Sequence, residues 1–379
     1  MRLRKGIERR METKKQKLNR KKAGEAVLFL GIMFLTFYTL LRGQNLGEIV
    51  QAVKHMSVPY LVAAAGLALF FVCAEGSMIW YLLHAMRAAD GAGESKSKGS
   101  SLFRCIQYSF LGFFYSGITP SATGGQPVQL YYMNKDGNKG ADSTVVLMTV
   151  AVLYKLVLVW IGVGLLIFCG RPLHLALKHY FPLYLVGLLL NIVVIAVVLA
   201  AMLFPRWMVR AASWFENKMI CIGFWKESET RMEKVREFTG NYKMAVDWLK
   251  GQPGKLLVLI AVTFLQRCSV FLLTYMVYRG FGESGASVWE VMILQASVYI
   301  AVDMLPLPGA QGITEFMYRS VFASVFSQGY LIPSMLVSRG LNFYFLLVVS
   351  LLVVVWNRAA AVRNRSLGSQ KADPRTSSL

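Results

Sequence analysis

Long apolar runs set the pattern of this chain. Six uninterrupted runs, at about 24–41, 58–86, 144–169, 182–204, 255–279 and 331–356, approach or exceed the roughly 20 residues that a helix needs to cross a bilayer. Two further apolar segments are broken at their centres. The first, Ser101 to Met133, contains Thr119-Pro120-Ser121-Ala122-Thr123-Gly124-Gly125-Gln126-Pro127. The second, Val288 to Phe326, contains Pro306-Leu307-Pro308-Gly309-Ala310-Gln311-Gly312. A break of this kind exposes backbone N–H and C=O groups at membrane depth, where irregular backbone survives only against protein, water or a ligand. A pair of broken segments, one in each half of a membrane protein, points to a transporter's binding site.

Composition agrees with the pattern. The chain is 55% hydrophobic and 16% charged, with a mean hydropathy of +0.48. The predicted fold class is all-α: a polytopic integral membrane protein with about six full spans and two Pro/Gly-broken, re-entrant helical hairpins in an inverted repeat. A basic tail at 1–23, a membrane domain at 24–356 and a second basic tail at 357–379 follow from the same reading.

The net charge of +21 is unevenly spread. It sits in the first 22 residues, in the 205–255 segment and in the C-terminal tail, which is the positive-inside pattern and suits anionic lipid headgroups. Nucleic acid is therefore excluded as a partner. Cys73, Cys105, Cys169, Cys221 and Cys268 are scattered without paired spacing, so neither a disulfide framework nor a zinc site is indicated. The first apolar run lacks an A-x-A site and reads as a retained anchor.

Charge parity orders the spans. With both basic termini in the cytoplasm, the 87–100 loop and the basic 205–254 segment return to that side. The first broken segment then starts and ends on the cytoplasmic face, and the second on the outer face. Hairpins of opposite orientation are what an inverted repeat produces. The 205–254 segment mixes Trp207, Trp214, Trp225 and Trp248 with charged residues. It reads either as helices in the membrane interface or as a small cytoplasmic helical hairpin.

At the breaks, Ser121, Thr123 and Thr314 are candidate helix caps, and Pro127 suits a first helical turn. A half-helix that starts inside the membrane aims N–H groups and its positive dipole end at the cavity, which suits a phosphate. The competing reading is a Pro/Gly kink filled by packing alone. Ionisable residues inside apolar segments are costly and mark function by default. They are Glu75, Lys155, Arg267, Asp303, Glu315, Arg319 and Arg339. Lys155 and Arg267 are candidates to hold a lipid phosphate, and Asp303 and Glu315 to balance them or to meet a cationic headgroup. Against this stands structural pairing: Glu315 and Arg319 are four apart on one helix face, and Arg339 can snorkel to the interface. Enzyme signatures such as HExxH, GxSxG or a Walker loop are absent from the sequence, and no cofactor is implied.

At these motifs the chain resembles the transmembrane, flippase-like region of lysylphosphatidylglycerol synthases of the multiple peptide resistance factor type, over most of 24–356. The family's first motif, a Pro followed shortly by Gly-Gly and a polar residue, matches Pro120, Gly124, Gly125 and Gln126. Its second, P-x-P-G-G-x-G-x-x-E, matches Pro306, Pro308, Gly309, Gly312 and Glu315, with Ala310 where a second Gly is common. Gln126 and Gln129 stand where an acidic residue and a following Arg are common. The resemblance implies lipid handling in a bacterial inner membrane and a link to cationic antimicrobial peptide resistance. Full-length members carry a soluble domain that transfers lysine from lysyl-tRNA to phosphatidylglycerol. Only about 23 residues follow the 331–356 span, so this chain is not expected to aminoacylate lipid alone.

The leading expectation is a flippase-like protein for anionic or aminoacylated phospholipid. Its expected substrate-binding set is Pro120, Gly124, Gly125, Gln126, Lys155, Arg267, Asp303, Pro306, Pro308, Gly309, Gly312 and Glu315. The alternatives are a lysyltransferase-type or lipid-linked group-transfer enzyme, with Glu315 or Asp303 as base, and the membrane partner of a separately encoded soluble synthase. A homodimer is expected by family analogy.

Overall fold

A computed structural model describes residues 46–89, 101–119, 122–204, 210, 214, 229–305, 310 and 312–371. The expected span at 24–41, the N-terminal tail and most of 205–228 lie outside the described residues, as do Pro120, Ser121, Pro306, Pro308 and Gly309.

Every regular element among the described residues is helical. In chain order they are α1 (Leu46–Lys54), α2 (Val58–Ala89), α3 (Leu102–Gly117), α4 (Gly125–Lys135), α5 (Gly140–Leu177), α6 (Phe181–Leu203) and α7 (Glu229–Lys250). There follow α8 (Pro253–Gly280), α9 (Val288–Val302), α10 (Ile313–Val321), α11 (Gln328–Arg339), a π-helical turn (Gly340–Phe345) and α12 (Leu346–Lys371).

Among the described residues, four stretches are long and apolar enough to cross a membrane: Val58–Ala89, Gly140–Leu203, Pro253–Gly280 and Gln328–Ala360. The second holds both α5 and α6, which fold back on each other through a short 3-10 turn with Lys178 at φ 49. The four stretches thus carry five of the six predicted runs. Helix α5 continues to Leu177, beyond its predicted end at 169. It does so through a kink at Cys169, just before Pro172, whose ring and missing N–H disturb the preceding turn.

The broken segments form two helical hairpins. Their arms, α3 with α4 and α9 with α10, are 16, 11, 15 and 9 residues long. At 1.5 Å per residue even the longest reaches only about 24 Å, short of the roughly 30 Å hydrocarbon core. The first arms begin alike. Ser101 accepts a hydrogen bond from the Arg104 N–H, and Ser287 from the Glu290 N–H, each at 3.2 Å, which satisfies an otherwise unpaired helix-start donor.

The two halves repeat their packing. Helices α2 to α5 correspond in order to α8, α9, α10 and the α11–α12 unit. Arm α3 packs on α2 and α12, and its counterpart α9 packs on α8 and α5. The corresponding helices α2 and α8 make the most extensive contact among the described elements. Backbone approach at these contacts needs small residues, as helix packing in lipid requires. A Cβ on Gly76 of α2 would lie 2.5 Å from Ile106 Cα, and one on Gly187 of α6 would lie 2.4 Å from the Ile300 carbonyl oxygen.

Helix α7 is not apolar enough to be a span. It lays Tyr242, Ala245, Val246 and Leu249 into a cluster with α5 residues and leaves charged residues such as Lys243 and Asp247 exposed.

Candidate functional site

The hairpin tips close on a cavity of about 660 Å³. Its wall takes Thr123, Gln126 and Pro127 from the first break, and Asp303, Met304, Leu305, Ala310 and Thr314 from the second. Helix α2 adds Glu75, α5 adds Tyr154 and Lys155, and the α11–π junction adds Arg339, Asn342 and Phe343. Both breaks contain an alanine in the left-handed region, Ala122 at φ 54 and Ala310 at φ 49. Non-glycine residues rarely adopt that conformation because Cβ crowds the following carbonyl.

Three carboxylates occupy the surroundings of this cavity, and each is held differently. Asp303 caps the C-terminal end of α9, where the helix gives way to the break. One of its oxygens accepts from the Tyr154 hydroxyl at 2.9 Å, and the other is salt-bridged to the Lys155 ammonium. Tyr154 and Lys155 are adjacent on α5, so this pairing ties the second hairpin to the first half of the chain.

Glu315 is buried, 2% exposed, and lies behind the cavity wall. Its Oε2 accepts from the Gly312 N–H at 2.8 Å, and its Oε1 from Arg339 Nε at 2.9 Å. The first bond is half of a capping box, the only half open to a glycine cap. The second directs the Arg339 guanidinium to the cavity, with Phe343 against it at 4.8 Å. The local i,i+4 pairing with Arg319 does not form: Arg319 is exposed, and the buried Glu315 is bonded to Arg339 instead. Arg339 does not snorkel either, because its partner lies in the protein. The caps also differ from expectation. Gly312 and Gly124 occupy the cap positions, while Thr314 donates to the Ala310 carbonyl and Thr119 accepts from the Gly124 N–H.

Glu75 accepts from Gln129 Nε2 at 2.7 Å. Gln129 reaches it because α3 has Gly112 at the crossing, where a Cβ would lie 2.3 Å from that nitrogen. Arg267 stands on α8 within electrostatic reach of Glu75 but is not bonded to it. It is 1% exposed, and its guanidinium is packed against Tyr154 at 3.8 Å and Phe71 at 4.5 Å. None of its three guanidinium nitrogens has a hydrogen-bond partner among the described residues.

The structure thus brings Gln126, Lys155 and Asp303 to the cavity wall, with Gly124, Gly125 and Gly312 in the adjoining turns and helix starts. Glu315 sits one layer back, and Arg267 lies behind Tyr154 and Phe71. Pro120, Pro306, Pro308 and Gly309 are outside the described residues. Wall residues absent from the expected binding set include Glu75 and Arg339, which the sequence marked only as ionisable, and Tyr154 and Gln129. Adjacency to Lys155 was the only signal for Tyr154, and for Gln129 it was a polar residue just beyond the first break. No group of three or more potential metal ligands occurs among the described residues.

Fold and site together define a multi-pass, all-helical membrane protein with two broken hairpins around a cavity lined by apolar and charged residues. The chain belongs to the family described as the lysylphosphatidylglycerol synthase TM region, which matches residues 24–350. It is therefore a membrane protein related to lysylphosphatidylglycerol synthesis. No curated protein matches the chain.

Proposed function

We propose that the protein is a flippase-like carrier that moves an anionic or aminoacylated phospholipid, of the lysylphosphatidylglycerol type, between bilayer leaflets. The headgroup passes through the cavity between the two hairpins while the acyl tails stay in lipid. The observation that carries this reading is the cavity itself. It is a space of about 660 Å³ bordered by both breaks, apolar over most of its lining, into which Lys155 and Arg339 bring positive charge and Asp303 and Glu75 bring carboxyl groups. Moving a charged headgroup out of water costs far more than membrane proteins can spare unless fixed partners replace its hydration. Lys155 and Arg339 supply those partners for a phosphate, and the acids supply them for an ammonium. Arg267 supports the wall from behind and does not touch the headgroup.

In this reading the chain lies in a bacterial inner membrane with both termini in the cytoplasm, and it contributes to resistance against cationic antimicrobial peptides. A second reading is that the chain is the membrane partner of a separately encoded soluble synthase. Co-purification of an aminoacyltransferase with the full chain tests that role, and its consistent absence removes it.

The flippase reading is tested by reconstituting the full chain in liposomes with a headgroup-labelled phospholipid and quenching the outer leaflet. The protein is expected to expose inner-leaflet label faster than protein-free vesicles do. Equal rates at verified protein incorporation overturn the proposal.

A further inference from the structure

We infer that Glu75 is a proton-binding site and that its proton couples lipid movement to the transmembrane proton gradient. This rests on the flippase reading and adds an energy source to it.

The three carboxylates around the cavity differ in what neutralises them. Asp303 is salt-bridged to Lys155, and Glu315 to Arg339. Both anions are compensated by a bonded cation. Among the described residues, Glu75 is bonded only to the neutral amide of Gln129. A carboxylate in hydrocarbon surroundings without a bonded cation is expensive as an anion. As the neutral acid it needs no counter-ion: one oxygen takes the Gln129 N–H, and the residue lines the cavity, from which a proton can reach it.

Arg267 explains why the charge state matters. Arg267 lies close enough to interact electrostatically with Glu75, yet its guanidinium has aromatic faces around it and no hydrogen bond among the described residues. Loss of the proton from Glu75 creates the anion that this guanidinium lacks and draws the two together. Glu75 is on α2 and Arg267 on α8, the corresponding helices whose contact joins the two halves. Protonation therefore acts on the seam across which the halves must move.

Among the described residues, the other titratable or charged groups around this cavity are Tyr154 and Lys155 of α5, Tyr299 and Asp303 of α9 and Arg339 of α11. Tyr154 and Lys155 pair with Asp303, and Arg339 pairs with Glu315, which leaves Glu75 as the carboxyl group able to exchange a proton. The hairpin helices packed against it contribute Gly112 and Gln129, which do not titrate. The proton is taken from water on one face of the membrane, carried on the Glu75 carboxylate, and returned to water on the other face, so charge and atoms balance without a further reactant.

Two measurements on the full chain test this. Infrared difference spectra of the purified protein between acid and alkaline pH are expected to contain a protonated-carboxyl band that is missing in Glu75→Gln. That variant keeps the oxygen that accepts from Gln129. Absence of the band, or its persistence in the variant, overturns the inference. In liposomes with an imposed pH gradient, one proton per lipid shifts the leaflet ratio of labelled lipid by about tenfold per pH unit, and Glu75→Gln loses that response. Lipid movement with a ratio indifferent to the gradient overturns proton coupling and leaves the flippase reading standing. No lipid movement by the wild-type protein overturns both.

Discussion

Replacing Glu315 should unfold the second hairpin, whereas replacing its helical neighbour Arg319 should do almost nothing. Glu315 and Arg339 have side chains only 3% and 14% exposed, and they meet at 2.9 Å. Removing one partner of such a pair strands the other charge in a poorly solvated place, at a cost of about 3–5 kcal/mol. Glu315 also accepts from the Gly312 N–H, and loss of a cap of this kind costs about 1 kcal/mol. Glu315→Ala is therefore expected to lose about 4–6 kcal/mol and Arg339→Ala about 3–5 kcal/mol. The double variant should cost clearly less than the sum, since neither charge is then left alone, with an interaction energy of about 2–3 kcal/mol. Arg319→Ala is a surface change and should stay within about 0.5 kcal/mol. Unfolding of the purified full chain by sodium dodecyl sulfate titration in mixed micelles reads all four variants. If Arg319→Ala destabilises as much as Arg339→Ala, or if the Glu315 and Arg339 effects simply add, the cross-helix pairing is refuted.

Other consequences are equally accessible. Ala310→Gly relieves a left-handed alanine and should raise stability by up to about 1 kcal/mol, less the added chain entropy, in the same titration. Gly112→Ala places a methyl against Gln129, so it should cost about 1–3 kcal/mol and weaken the infrared signature of Glu75. Lys155→Ala removes the cation on Asp303 and should slow lipid movement at least tenfold, with partial recovery in Lys155→Ala/Asp303→Asn. Burial pushes the Tyr242 hydroxyl in α7 up to about 12 from 10.0. The folded state then holds this proton more tightly than the unfolded chain does. Its contribution is complete below pH 10 and is lost as pH rises toward about 12. Trp248 fluorescence should report α7 detaching over that range, and Tyr242→Phe should remove this step.

The broad architecture was legible because its causes are local. An apolar run of membrane length has few ways to bury itself, and a Pro/Gly break inside one has fewer, so the long helices and the two hairpins followed from composition and spacing. The caps were less legible: Ser121, Thr123 and Thr314 were the candidates, whereas Ser101 and Ser287 cap the first arms. What was not legible is cross-helix pairing. Glu315 has Arg319 four residues away, the only partner that sequence spacing can nominate, yet it bonds Arg339, 24 positions along the chain. The π turn that follows Arg339 carries Asn342 and Phe343 to the cavity wall, and an apolar run gives no sign of such a turn. Lys155 and Arg267 looked alike as lone cations in apolar spans. Only packing separates them, since Lys155 reaches Asp303 at the cavity while Tyr154 and Phe71 cover Arg267. The kink at Cys169 hid the last turns of α5, because Pro172 normally argues for a helix end.

The claim that the lipid headgroup occupies the cavity between the hairpins is met most directly by photocrosslinking. A phospholipid with a photoreactive group on its headgroup is incorporated into liposomes with the full chain, activated, and located by peptide mass spectrometry. The account predicts label on cavity residues from both breaks and α5, such as Thr123, Tyr154 and Thr314, lost when unlabelled lipid competes. Label confined to lipid-facing positions such as Leu189 and Val193 of α6, with none in the cavity, would contradict it.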